Sequence, residues 1–129
     1  MRPDDYRTLA SRAETEEPTE ALNEDVARAL DGWWWDSGEA EWVSDEGCTT
    51  QELPAYLTDL TTAASAMPEG WTVCRVEQSD DGWIVGLMPP PRPRAHGTIG
   101  MAPEFASAWM AAILRAIALN VERETTNAG

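Results

Sequence analysis

The chain has 129 residues, of which 43% are hydrophobic and 25% are charged, and its formal net charge is −14. These proportions predict a single globular domain over residues 1–129 and exclude the disordered, collagen-like and membrane-spanning classes. Residues 1–60 hold sixteen acidic residues against four arginines, so this half would repel a phosphate backbone and no direct nucleic-acid binding is expected.

The two cysteines, Cys48 and Cys74, match no disulfide framework, and no basic stretch followed by an apolar stretch opens the chain. The longest apolar stretch, residues 106–119, is interrupted by Ser107 and Arg115 and is too short to span a bilayer. We therefore expect a soluble protein of the cytoplasm, without a membrane partner.

Helices are predicted at two places in the acidic half. Apolar residues at i, i+3, i+4 and i+7 spacing occupy residues 6–13 behind two aspartates, and Pro18 ends this first helix after an acidic run. The same spacing resumes at Thr19, and the second helix ends at Gly32, a residue suited to the left-handed C-terminal position.

Three consecutive tryptophans, Trp33, Trp34 and Trp35, follow the second helix. Together with Trp42 they flank a polar, glycine-containing segment, which predicts two short antiparallel strands. Successive strand residues face opposite sides, so the three indoles cannot all enter one core. We interpret them as candidate partner-binding residues, and packing on both faces of the sheet is the alternative.

The middle of the chain predicts one helix and a second hairpin. Thr58 is expected to cap a helix that Pro68 ends. An Asp-Gly turn joins residues 71–78 to residues 83–88 and indicates a hairpin. The second arm is apolar on both faces, which favours a central strand with cover on both sides of the sheet.

The proline-rich segment 89–93 cannot continue a sheet, and residues 97–100 are expected to form a loop. A long core helix is predicted from Pro103 to about Glu122. The predicted fold class is therefore α+β: a small antiparallel sheet of two hairpins covered by helices on both faces, a helix-sheet-helix sandwich. Its parts are an N-terminal helix and acidic linker (1–18), the sandwich core (19–122) and a tail (123–129).

Six short segments follow one another along nearly the whole chain, at residues 9–14, 21–27, 54–60, 67–71, 82–83 and 102–106. In this order they resemble the phage ABA-sandwich domain family of small phage and prophage proteins. The resemblance implies helix, sheet and helix layers and supplies no catalytic residue. The runs at 33–35 and 89–93 depart from the family's pattern.

A local basic cluster of Arg92, Arg94 and His96 precedes a glycine-flanked segment that contains Thr98. Guanidinium groups, flexible backbone and the start of the last helix favour an anion, so these four residues are the candidate ligand-binding site for a small anionic nucleotide. The alternative is a solvated polyproline-like connector whose arginines balance nearby acids.

No catalytic residue, metal ligand or cofactor is predicted. Cys48, Cys74 and His96 match no zinc or Cys-His spacing, and Asp80 with Asp81 fits a turn better than an acid/base pair.

We therefore expect a non-enzymatic phage or prophage accessory protein that sequesters or blocks a host component, as an anti-defence inhibitor would. Its partner would be either a small anionic nucleotide or a basic surface on a host protein. The alternative is a structural or replication accessory protein of a phage with no inhibitory role. A homo-oligomer is also possible, because exposed tryptophans serve such interfaces equally well.

Overall fold

A computed structural model describes residues 1–91 and 96–128, which form two three-stranded antiparallel sheets and four helices. The helices are α1 (Pro3–Thr15), α2 (Glu20–Asp31), α3 (Leu60–Ser65) and α4 (Phe105–Ala128). The strands are β1 (Trp34–Asp36), β2 (Glu41–Val43), β3 (Thr49–Thr50), β4 (Thr72–Ser79), β5 (Gly82–Met88) and β6 (Thr98–Ala102). The predicted α+β sandwich with two hairpins is confirmed, and the hairpins belong to separate sheets, ordered β1-β2-β3 and β4-β5-β6.

The second helix shows how local sequence sets its ends. The Thr19 hydroxyl accepts a hydrogen bond from the Leu22 amide at 3.2 Å and so caps the first turn of α2. Gly32 follows the last turn with φ of 64°, and its amide donates to the Arg28 carbonyl at 3.1 Å. Both ends lie where the sequence predicts them.

The centre of the core is α4, which packs against β5, β6 and α1. Its contact with β6 is close because Gly100 has no side chain: a Cβ there would lie 1.9 Å from the Ala108 carbonyl oxygen. Beside it, the buried Thr98 hydroxyl donates to the Ala112 carbonyl at 2.8 Å. These two residues fix the distance between strand and helix.

Within the described residues, α4 is the one helix long and apolar enough to cross a bilayer. More than half of that stretch is buried inside the fold, as in the core helix of a soluble protein.

The N-terminal helix is part of the same core. Leu9, Ala10 and Ala13 of α1 are buried against the rest of the core, and α1 packs along α4. Residues 1–15 therefore pack with residues 19–122, although the sequence analysis places residues 1–18 outside the sandwich core.

A charged pair closes the outer edge of β6. The Glu14 carboxylate accepts from Arg115 at 2.6 and 2.7 Å and from the Met101 backbone amide at 2.8 Å. Arg115 also donates to the Ile99 carbonyl at 2.8 Å. Two of the backbone groups that β6 turns away from β5, the Met101 amide and the Ile99 carbonyl, are thereby hydrogen-bonded by side chains, and we call Glu14 and Arg115 the edge cap.

Two local predictions are wrong. The cap of α3 is Asp59 rather than Thr58, because the Asp59 carboxylate accepts from the Thr62 amide at 3.1 Å. Residues 97–100, predicted as a loop, contribute to β6, which pairs with β5 from Thr98 to Ala102. The strand forms because its small inward residues allow the close approach to α4.

The predicted Asp-Gly hairpin is confirmed as β4 and β5, with Gly82 at φ of 138°. The strand β5 is central, as predicted, between β4 and β6. Helix α4 packs against β5 and β6, no extensive packing of α4 on β4 is seen in the described residues, and every residue of β4 is exposed. The opposite face of this sheet exposes Met88, Ile99 and Met101, so the cover that the sequence predicts on both sides of β5 is found in the described residues on the α4 side.

Candidate functional site

The first hairpin is fastened to the core by Trp33. This indole is buried, and its Nε1 donates to the Tyr56 hydroxyl at 3.2 Å. The Tyr56 hydroxyl in turn donates to the Asp31 carboxylate at 2.5 Å. Burial raises the pKa of Tyr56 well above its ordinary value, and the Asp31 hydrogen bond adds to the rise, so the phenol keeps its proton for Asp31. This chain of hydrogen bonds holds the base of the hairpin.

The next two tryptophans lie at the surface. Trp34 and Trp35 expose 49% and 45% of their area, on opposite faces of β1. Trp35 is paired with Trp42 across the hairpin, with ring centroids 5.4 Å apart in an edge-to-face arrangement. The Arg28 guanidinium lies 5.9 Å from the centroid of Trp42 on the α2 side. We call residues 33–43 the Trp hairpin.

A short, tightly bonded turn ends the Trp hairpin. The Asp36 carboxylate accepts from the backbone amides of Gly38 and Glu39 at 3.0 and 3.3 Å. Ala40 closes the turn in the left-handed region, with φ of 54°. The turn bonds hold the tip, and Trp33 holds the base.

An open cleft of 460 Å³ lies next to the Trp hairpin, between the start of α2 and residues 51–58. Trp42 forms one wall, and the carboxylates of Glu20, Glu24 and Glu52 line the cleft. Asn23 sets its shape, since its side chain donates to the Pro54 carbonyl and accepts from the Tyr56 amide, both at 2.9 Å.

The electrostatics of this region favour a cation. Glu24 is paired with Arg28 at 2.5 Å, while Glu20 and Glu52 are exposed at the cleft. All of these groups belong to residues 1–60, which carry sixteen acids and four arginines. Within the chain the Trp42 ring and Glu24 already hold the Arg28 guanidinium, and the exposed Glu20 and Glu52 carboxylates are left to attract a further arginine or lysine.

The predicted anion site is described only in part. Arg92 and Arg94 lie outside the described residues, so their role stays a prediction. His96 is exposed, whereas Thr98 is buried and its hydroxyl hydrogen is used on α4. The structure therefore places Thr98 in the β6–α4 contact.

A groove of 520 Å³ beside Gly97 is lined by two further arginines, Arg7 and Arg115. Both are already paired: Arg7 donates to Glu122, and Arg115 donates to Glu14. An anion at this groove would have to compete with those carboxylates.

In the described part of the chain, no side chains are clustered in a way that suits metal binding. No three His, Cys, Asp or Glu side chains are placed there to hold a metal ion. Cys48 and Cys74 are free and exposed.

The sequence named the tryptophans but missed the residues that position them. Tyr56 follows Trp33 by 23 residues, and no local pattern links it to Trp33 or to Asp31. The acidic cleft was also missed, because its walls come from α2, β2 and residues 51–58. The charge concentrated in residues 1–60 was the one signal that pointed to it.

Comparison of the chain with protein-family models, with curated proteins and with solved structures finds no match. The resemblance to the phage ABA-sandwich domain family therefore stays a prediction.

Proposed function

We propose that this protein is a non-enzymatic binding protein whose Trp hairpin and adjoining acidic cleft dock on a basic surface of another protein and block it. The observation that carries the proposal is that Trp34 and Trp35 are half exposed, on opposite faces of a fastened hairpin whose Trp42 lines the acidic cleft. Large exposed aromatic side chains supply much of the binding energy in protein interfaces.

The fastening of the hairpin supports this role. A side chain that is already held in place loses little conformational freedom on binding, so more of its contact energy is available for affinity. Trp33 holds the base of the hairpin and the Asp36 side chain holds its turn. The two exposed indoles are presented on a pre-ordered strand.

The charge distribution supports a basic partner rather than a neutral one. The cleft carboxylates and the net charge of the acidic half would steer a positively charged surface toward the Trp hairpin. If the phage resemblance holds, the partner belongs to the host, and blocking it is an anti-defence or similar inhibitory act. A small anionic nucleotide is less favoured, since the described arginines near Gly97 are paired with carboxylates.

The test uses three baits for capture from a bacterial lysate: the wild-type protein, Trp34→Ala/Trp35→Ala and Ile99→Ala/Met101→Ala. The last variant is the matched control, because it also removes two exposed apolar side chains, but from a different surface. We expect a basic protein to be retained by the wild type and the control, and to elute between about 0.15 and 0.5 M salt, where charge contacts are screened.

The double Trp variant should bind that protein at least about thirtyfold more weakly, since two interface hot spots are lost. Retention that is unchanged by the Trp substitutions would refute the proposal. A thermal-shift screen against nucleotides should be silent; a saturating nucleotide at a hundred times its dissociation constant would instead add about 2.7 kcal/mol and identify the other class of ligand.

A further inference from the structure

The strand β4 lies at the edge of its sheet, and in the described part of the chain no strand pairs with its outer side. Among residues 1–91 and 96–128, no helix or strand besides β5 packs extensively against it, and its whole length is exposed. Val73 and Val76 face the same side of the sheet as the buried Leu87 and Val85 that they pair with, yet they are 40% and 44% exposed. Apolar residues on an open strand edge are a ready template for another strand.

The alternation of hydrogen-bonded residues along β4 shows which of its backbone groups point away from β5. The two-residue turn closes on the pair Ser79 and Gly82, which in such a turn exchanges both backbone hydrogen bonds. Alternation then directs the backbone groups of Glu77 toward β5 and those of Val76 and Gln78 away from the sheet.

The backbone hydrogen bonds of β6, at the other edge of the sheet, follow the same alternation. Glu77 is opposite Ile84, and Ile84 is opposite Met101. By the same alternation the Met101 amide must point away from β5, and it does so, donating to Glu14. The assignment of outward groups on β4 is therefore consistent across the sheet.

We propose that two copies of this chain associate through β4, in antiparallel register about a two-fold axis at Val76. Val76 of one copy then exchanges backbone hydrogen bonds with Val76 of the other, and the two sheets join into one of six strands. A two-fold interface of this kind uses the same patch on both copies.

Charge complementarity selects this register. Arg75 and Glu77 flank Val76 on the opposite face and are already paired at 2.8 Å within one chain. With the two-fold axis at Val76, the Arg75 of each copy lies directly opposite the Glu77 of the other copy. Sliding one strand by two residues, the smallest shift that keeps the hydrogen bonds, places Arg75 against Arg75 or Glu77 against Glu77. Opposite charges across strands stabilise a pair and like charges destabilise it.

A second copy is thus the occupant that β4 itself specifies. The edge cap already hydrogen-bonds two outward groups of β6, the Met101 amide and the Ile99 carbonyl, so β4 is the more open edge of this sheet. The high net charge opposes association at long range, but charges more than about 8 Å apart are largely screened at physiological salt.

Sedimentation equilibrium or light scattering at 0.15 M salt, over micromolar to submillimolar protein, tests the association. We expect a species of twice the 14.2 kDa chain mass that forms with concentration. A single-chain mass throughout the range would overturn the proposal and leave β4 to a strand of another protein.

Charge exchange tests the register. Arg75→Glu and Glu77→Arg, which each set like charges across the axis, should weaken the dimer about tenfold, and the double exchange should restore it. Melting temperatures of the variants show whether the chain stays folded. A dimer that both single exchanges leave unchanged would overturn the register.

Disulfide cross-linking gives an independent readout in a chain carrying Cys48→Ser and Cys74→Ser. Val76→Cys should form an intermolecular disulfide, since directly opposite residues lie about 5.5 Å apart at Cα, within disulfide range. Gln78→Cys is the control: two copies of residue 78 are separated along the strands and should not cross-link. Efficient cross-linking at 78 and none at 76 would contradict the proposed axis. None of these measurements depends on the Trp hairpin.

Discussion

The edge cap is expected to stabilise the fold through the Glu14 carboxylate. The substitution Glu14→Gln measures how much that carboxylate contributes to the free energy of unfolding. One Glu14 oxygen accepts from both Arg115 and the Met101 amide, and the other accepts from Arg115 alone. An amide has a single acceptor oxygen, so in either orientation its NH₂ group faces a donor. At least one charge-assisted hydrogen bond is lost, and those that remain are bonds to a neutral acceptor.

The magnitude follows from the burial of the pair. The Glu14 and Arg115 side chains are 19% and 29% exposed, between a fully buried pair and a surface pair. We expect a loss of about 2 kcal/mol in the free energy of unfolding, in the range for hydrogen bonds to charged groups. For a chain of this length that is about 7 °C in melting temperature.

Urea denaturation followed by tryptophan fluorescence gives the free energy, with thermal unfolding as the second measurement. Glu16→Gln is the matched control, because Glu16 also accepts from an arginine, Arg12 at 2.8 Å, but its side chain is 46% exposed. The control should change stability by less than about 0.5 kcal/mol. If Glu14→Gln is as mild as the control, the edge cap does not contribute as argued.

The same variant has a defined pH dependence. Burial alone would raise the pKa of Glu14, but the hydrogen bonds from Arg115 and Met101 outweigh it and hold the pKa below its ordinary value. A carboxyl of this kind stabilises the fold fully above its unfolded pKa and loses that contribution as the pH falls through the lower folded pKa. The stability difference between wild type and Glu14→Gln should therefore be constant near neutrality and shrink below about pH 4.5.

Three further substitutions test the packing. Gly100→Ala should cost more than about 3 kcal/mol in thermal unfolding, because its Cβ would overlap the Ala108 carbonyl; a normal melting temperature would refute the close contact. Tyr56→Phe should cost about 1 to 3 kcal/mol in urea, because it leaves the buried Trp33 indole without its acceptor; a loss under 0.5 kcal/mol would contradict that bond. Ala40→Gly should stabilise by about 0.5 to 1 kcal/mol, because it relieves a left-handed alanine, and a decrease in stability would count against the turn geometry.

The elements with strong local signals were predictable. Helical spacing placed α1, the same spacing with Thr19 and Gly32 placed α2, and the Asp-Gly turn placed β4 and β5. The alternation argument for the tryptophans predicts that they do not all enter one core, but not which of them is buried. That choice depends on Tyr56, which reaches Trp33 only in the folded chain.

Strand β6 was missed because its pattern is reversed. Its inward residues, Thr98, Gly100 and Ala102, are small because α4 lies so close, whereas the larger Ile99 and Met101 point outward. The alternation of apolar side chains along the strand therefore does not identify the face that is buried. The edge cap could not be predicted from the sequence either, since it joins residues 14 and 115 and no local spacing relates them.

The edge cap also bears on how far this sheet can grow. A sheet with two open edges can add a strand at each side, and identical chains that do so continue into a fibre. With the Ile99 carbonyl and the Met101 amide already bonded to Arg115 and Glu14, β6 is less available than β4 for pairing with another strand. Removing that pair would free both groups for another strand, so we expect the edge cap to oppose polymerisation and aggregation through β6.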